Sequence, residues 1–326
     1  MGRGFAIMDV GPKITVITAS KNGERFLRET IDSVLKQSFT DYEHVIVDGA
    51  STDGTIEILK EYKHIRWISE PDRDADEGFY KAMTMARGEY IMFCCVSDGY
   101  LDKDWFKKCV EALDNDSEVS LVYGLSQHMT KDGILGKINR PNFFNHPPQQ
   151  KMDFFPFWLG TFMESHESTF CVRADVFKEC FPRYEPTGNF LQNQAIFSFY
   201  YNFYTKGYLP YFLPIVATYT RAHHDSNSVK MVGFNRIMRG QYHAAVVRYG
   251  NEVLPGRIKH IFRDGKSNVI KAIETEELEC CRRKVLDYRI NRKFYLGKRG
   301  ARRLSYWIRK LKILTGYYLC GQRIYN

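Results

Sequence analysis

The chain has no apolar run approaching the ~18 consecutive residues that a membrane-spanning helix needs. Its first residues, Met1 to Ile14, hold no apolar stretch of the secretory kind, and Ala6 breaks the N-myristoylation pattern. These absences predict residence in the cytoplasm. No two of the 8 cysteines are spaced C-x-x-C, which excludes the common zinc and thioredoxin-like patterns. Reduced, mostly buried thiols are expected, Cys94 and Cys95 included. No repeat and no low-complexity block interrupts the 326 residues, enough for one large domain or two modest ones with 44% hydrophobic content for a core.

Acidic residues are scarce in one segment. Between Arg282 and Lys312 thirteen Lys or Arg stand against the single acid Asp287, a local charge of +12; since the whole chain carries +9, the remainder is slightly acidic at −3. Tyr295, Tyr306, Trp307, Tyr317 and Tyr318 are interleaved with these cations. Residues 282–318 fit a basic amphipathic helix lying on an anionic membrane surface. They fit equally a helix packed on the body by its apolar stripe. Nucleic acid is not the expected partner.

What is present first is alternation. Ile14 to Ala19, His44 to Val47, Ile65 to Ile68 and Tyr90 to Val96 read as strands. Helical spacing over Phe26 to Leu35, Gly54 to Tyr62 and Phe79 to Ala86 separates them, and Trp105 to Leu113 and Val119 to Tyr123 add another helix and strand. This is the βαβ signature of a mostly parallel, Rossmann-like α/β sheet flanked by helices. In such sheets ligands bind beyond the carboxyl ends of the strands. Two acids fall there: Asp48, opening V-D-G-A-S-T-D-G-T, and Asp98 in S-D-G. Ser51, Thr52 and Asp53 also suit plain helix capping, and Asp98-Gly99 a plain turn. After Gly124 the rhythm is lost. Pro141 to Pro156 reads as a mobile loop or lid, and the dense aromatics of Phe197 to Tyr204 as core.

Several pieces in order resemble the family 2 glycosyltransferases of the GT-A fold. They are the opening I-T-V-I-T-A-S-K-N-G-E-R-F-L-R-E-T-I-D-S-V-L-K-Q-S-F, the Asp48 loop, S-E-P-D from Ser69 to Asp72, A-R-G-E-Y-I from Ala86 to Ile91, and S-D-G. The resemblance implies that Thr18, Ala19, Ser20, Asp48, Asp72, Arg73, Ser97 and Asp98 hold a nucleotide-sugar, usually of UDP. It implies that Asp98 and His223, with His224 as the alternative to the latter, meet Mg²⁺ or Mn²⁺. Val96 and Gly99 stand where further acids of the metal motif are common, so metal and nucleotide are expected to bind together. His166-Glu167-Ser168-Thr169-Phe170 resembles the acceptor-side segment.

The departure concerns the base. Where the family places a carboxylate, this chain reads Leu191-Gln192-Asn193-Gln194, and an amide takes no proton near neutral pH. Glu167, with His166 beside it, is the expected substitute, with Glu185 and Asp175 behind it. The implied reaction is inverting transfer of a sugar to a hydroxyl of a glycan or lipid-linked glycan, as in bacterial surface-polysaccharide assembly. Residues 1–124 are expected to bind the donor, 125–230 the acceptor, with 231–326 a helical basic extension that adds peripheral contact with the cytoplasmic membrane face. A nucleotidyltransferase, or a degenerate transferase acting as a binding module, are the rival readings.

Overall fold

The structure, a computed structural model, describes residues 11–139, 148, 150–163, 165–182, 195–221, 223 and 232–296. The first half is β1 (Ile14–Ser20), α1 (Leu27–Leu35), β2 (Tyr42–Asp48), α2 (Thr55–Glu61), β3 (Ile65–Ser69), α3 (Ala75–Met85) and β4 (Tyr90–Phe93). β1, β2 and β4 are runs of β-branched and aromatic residues buried on both faces, as parallel strands covered by helices must be. α1 buries Leu27, Thr30, Ile31 and Val34, one stripe of a 3.6-residue period.

The chain continues through β5 (Gly99–Tyr100), α4 (Trp105–Asn115), β6 (Val119–Met129), β7 (Leu135–Asn139), α5 (Phe154–Thr161), β8 (Phe170–Arg173), α6 (Ala174–Cys180), α7 (Ala195–Thr205) and β9 (Leu209–Arg221). Among the described residues these strands form one sheet of order β3-β2-β1-β4-β8-β6-β9-β5, with β7 on β6. β1 to β4 are mutually parallel. β8 runs antiparallel to β4 on one side and to β6 on the other. α8 (Val232–Val253), a small hairpin of β10 (Ile261–Arg263) and β11 (Val269–Ala272), and α9 (Thr275–Leu296) complete the described chain.

The structure corrects several boundaries. β4 ends at Phe93 and not at Val96, because the chain turns: Asp98 N–H bonds Cys95 C=O at 2.9 Å and Ser97 takes φ 80°. α3 starts at Ala75, four residues before the expected Phe79, because the Asp74 side chain caps it by accepting the Glu77 N–H at 3.0 Å. The stretch 141–156, expected as a loop, ends in helix: Phe154, Phe155 and Pro156 form the buried start of α5, where proline's missing N–H has no partner to lose. Residues 141–147 and 149 of that stretch lie outside the described residues.

The opening of the basic region is also body, not free surface. α9 buries Leu278, Cys281 and Val285 and packs on α5, with Lys284 bonded to Asp153 at 2.6 Å and Arg282 Nε donating to Leu254 C=O at 2.7 Å. Residues 297–318 lie outside the described residues. All described cysteines are free, and most are buried. No described helix is long and apolar enough to cross a membrane.

Candidate active site at the carboxyl edge of the sheet

β1 lies between β2 and β4, so the connections leaving β1 and β4 turn to opposite sides, and a crevice opens between them at their carboxyl ends. Ser20, the last residue of β1, is in register with Asp48, the last of β2. The Ser20 hydroxyl is 4% exposed and has no hydrogen-bond partner among the described residues, so a polar group at the crevice floor is left for a ligand. Thr18 is not so placed. Its hydroxyl donates to Cys94 C=O at 2.7 Å and meets His44 Nε2 at 2.9 Å, inside the sheet.

Asp48 is wholly buried. Its carboxylate accepts the Ser51 N–H at 2.9 Å, the Ser51 hydroxyl, and the Ser69 hydroxyl at 2.7 Å. The acid therefore ties its own loop to the end of β3. Asp53 lies one residue before Gly54, the N-cap of α2, and accepts the Thr55 N–H at 3.1 Å. Asp72 closes over the loop: a side chain at Gly49 would come within 2.5 Å of both its oxygens, and one at Gly78 within 3.0 Å of the Ala19 Cβ. Asp72 is 4% exposed and meets Lys21 Nζ at 3.3 Å. Arg73 is paired with Glu77 at 3.0 Å, on α3 itself.

A second cluster forms around Asp98. Thr30 of α1 clamps the turn from both sides, its hydroxyl donating to Asp98 C=O at 2.9 Å and accepting the Ser97 N–H at 3.2 Å. β5 pairs with β9, which delivers the Arg221 N–H to Asp98 Oδ1 at 3.1 Å. Because β8 is antiparallel to β4, the residues before it reach the same edge: Ser168 donates to Asp98 Oδ2 at 3.0 Å and His166 Nε2 lies 3.9 Å from that oxygen. Burial pushes the Asp98 carboxyl up to about 6, with His166 and the Arg221 N–H pulling it back. Burial acts to lower the His166 pKa, but the Glu167 and Asp98 carboxylates outweigh it and leave the imidazole above its ordinary value. Glu167 Oε1 is 3.9 Å from Cys95 Sγ, and burial, then Glu167 and Asp98, push that thiol well up, away from any nucleophilic role.

The donor set fits a divalent cation only with help. Asp98 is one carboxylate, both of whose oxygens already accept protein hydrogen bonds. No group of three or more His, Cys, Asp or Glu able to hold a metal occurs among the described residues. His223 is near, its ring 4.8 Å from that of Phe26, over which the Arg221 guanidinium also lies at 4.8 Å. His224, Glu185 and residues 191–194 lie outside the described residues.

Asp175 is removed as a base: it is exposed on α6, beyond the far end of β8, where Arg173 pairs with Tyr90 at the opposite edge of the sheet. Two residues escaped the sequence reading. Thr30 lies within the opening motif but was given no role there. Asp76 lies just before the helix expected from Phe79; the Asp74-x-x-Glu77 cap is the signal that would have placed it in the first turn of that helix.

A 3-2-1-4 parallel core carrying an antiparallel β8 between β4 and β6 is the GT-A fold of nucleotide-sugar transferases. Residues 15–181, just over half of the chain, match the model for glycosyl transferase family 2, and the chain belongs to that family. It is 37% identical over 106 residues to TuaG of Bacillus subtilis, a protein named for teichuronic acid biosynthesis, covering 31% of this chain and 41% of that one. It is 30% identical over 118 residues to the poly(ribitol-phosphate) β-N-acetylglucosaminyltransferase TarS of Staphylococcus aureus, covering 34% of this chain and 20% of that one. The chain thus spans less than half the length of these curated relatives. In structure it matches the mannosyltransferase PcManGT of Pyrobaculum calidifontis, solved with GDP-Man and Mn²⁺, with a TM-score of 0.53 at 15% identity over 97% of this chain and 83% of that one.

Proposed function

We propose that this protein transfers a sugar from a UDP-sugar to a hydroxyl of a glycan or lipid-linked glycan, with inversion, in the assembly of a bacterial surface polysaccharide. The observation that carries the reading is the meeting of two clusters on one edge: the unpartnered Ser20 hydroxyl with Asp48 and Asp72 beside it, and Asp98 with His166 and Glu167. The first suits a nucleotide, the second the reacting end of the donor and the acceptor. TuaG, named for teichuronic acid biosynthesis, and TarS, named for adding a sugar to poly(ribitol-phosphate), favour a polymeric acceptor.

Ser20, Asp72 and the Asp48 loop hold the nucleoside. Asp98 and His223 are the residues that would hold Mg²⁺ or Mn²⁺, and with so few protein ligands the ion would bind together with the nucleotide. Its positive charge would then stabilise a departing diphosphate. His166, whose imidazole keeps its proton above the ordinary range, adds positive charge beside the same group. Glu167 puts a carboxylate on the acceptor side, where the hydroxyl must lose a proton. The stretch 141–156 selects the sugar, and residues 297–318 touch an anionic lipid surface at the cytoplasmic face.

Calorimetric titration of UDP, GDP, CDP and dTDP, each with and without Mn²⁺, tests the reading. Metal-dependent binding of UDP above the others is expected. Binding of none of them defeats it, and tight binding of GDP alone replaces the donor class.

A further inference from the structure

The segment leading into α7 offers no acid, since residues 191–194 read Leu-Gln-Asn-Gln. A carboxylate stands at its end nonetheless. Asp76 Oδ2, from the first turn of α3, accepts the N–H of Ala195, the residue directly after the amides, at 3.2 Å. Its other oxygen takes no hydrogen bond among the described residues. The same helix frames the donor side, because Gly78, two residues on, packs on Ala19 and Asp72. Asp76 thus lies where the donor-side helix meets the acceptor-side segment.

The charges that face it are Asp74 on its own helix and Glu167 on the turn before β8. The cations nearest in sequence are engaged elsewhere, Arg73 with Glu77 and Lys81 with Glu70 and Glu77. Asp76 is an acid that has like-charged neighbours, no paired cation, and one open oxygen.

We infer that Asp76 is a further catalytic residue: its open oxygen takes the proton of the acceptor hydroxyl as that hydroxyl's oxygen bonds to the anomeric carbon. The bond from that carbon to the diphosphate breaks at the same time, the diphosphate leaves with the electron pair, and Asp76 later releases the proton to water. The assignment rests on the transferase reading above. Glu167 becomes the neighbour whose charge keeps Asp76 basic. Burial first, then Asp74 and Glu167 against the opposing Ala195 N–H, push the Asp76 carboxyl up to about 6, close to working pH, where a base is most effective.

The test follows nucleoside diphosphate release by the full-length protein with Mn²⁺ from UDP-glucose, UDP-galactose, UDP-N-acetylglucosamine and GDP-mannose, with water as the attacking hydroxyl, across about pH 5 to 9. Wild type is compared with Asp76→Asn, Asp76→Glu and Glu167→Gln. Asp76→Asn is expected to lower kcat by ~10²–10⁴-fold with donor KM nearly unchanged, and to remove the acid limb near pH 6. Asp76→Glu, which keeps a carboxylate, recovers at least ~10-fold of that loss. Glu167→Gln moves the limb to lower pH, because removal of a negative neighbour makes Asp76 easier to ionise. Asp76→Asn turning over like wild type overturns the assignment, and so does Asp76→Glu as impaired as Asp76→Asn. The reversed pattern, with Glu167→Gln inactive and Asp76→Asn only shifted in pH, overturns it in favour of Glu167. Wild type inert toward every donor defeats the transferase reading itself, and the assignment with it.

Discussion

Ala50 holds φ 57°, a left-handed backbone that a residue with a Cβ avoids. The loop demands it: only with the chain turned there do the Ser51 N–H and hydroxyl both reach back to Asp48. Ala50→Gly relieves a penalty of ~1–2 kcal/mol and gives back ~0.4–1 kcal/mol to the freer unfolded chain, so a net gain of ~0.5–1 kcal/mol is expected in urea unfolding. A loss of stability would mean that residue 50 is not left-handed. The Asp48 loop and Asp98 were legible because a strand followed by an acid and small residues is a local pattern. The approach of Asp72 to Gly49 was not, since two loops that meet across the crevice leave no periodic trace. Asp76 was hidden for a different reason: its helix starts four residues before the apolar spacing from Phe79 shows it.

Gly160 shows the same limit at the level of elements. It lies where α5 crosses α9, and a Cβ added there would stand 2.5 Å from the Tyr288 Cβ and 2.9 Å from the Val285 C=O. Neither atom is the end of a flexible side chain, so the helices must separate. Gly160→Ala is expected to destabilise the protein by ~1–3 kcal/mol despite alanine's better helix propensity, read as a lower midpoint in thermal unfolding followed by circular dichroism. An unchanged or raised midpoint would refute the close crossing. The parallel half of the sheet was readable from buried β-branched runs such as Val45 to Val47. The antiparallel entry of β8 between β4 and β6 was not, because Phe170–Arg173 is too short and too uniformly buried to show direction. That insertion is what carries His166 to Asp98.

At the scale of the whole molecule, two histidines among the described residues fold without protons. Burial, with His64 adding its charge, lowers His44 from 6.5 to about 3, and burial alone lowers His260 to the same value. Below pH 6.5 the unfolded chain binds protons that the folded chain refuses, so each contribution is lost as pH falls from 6.5 toward about 3. Asp76 and Asp98, raised to about 6, act in the opposite sense over part of that window, so the clean readout is a difference. Relative to His260→Gln, the wild type should lose about 2 kcal/mol in unfolding free energy between pH 7 and 5. Parallel pH profiles for the two proteins would refute a neutral His260.

The basic extension belongs to this scale too. A cut near Cys281 would strip Val285, Lys284 and Tyr288 from α5 and damage the body. A chain ending after Leu296 avoids this. It should melt like the full protein yet lose affinity for anionic liposomes at low salt, and equal liposome binding would end the membrane proposal.

Positions 49 and 72 are not free to vary one at a time. Gly49 leaves a space that the Asp72 carboxylate fills, so an acid at either place excludes bulk at the other. A library randomised at both positions should yield active clones with one large polar side chain between them, never two, and the pair should drift through sequence space as a unit even though they sit on separate loops.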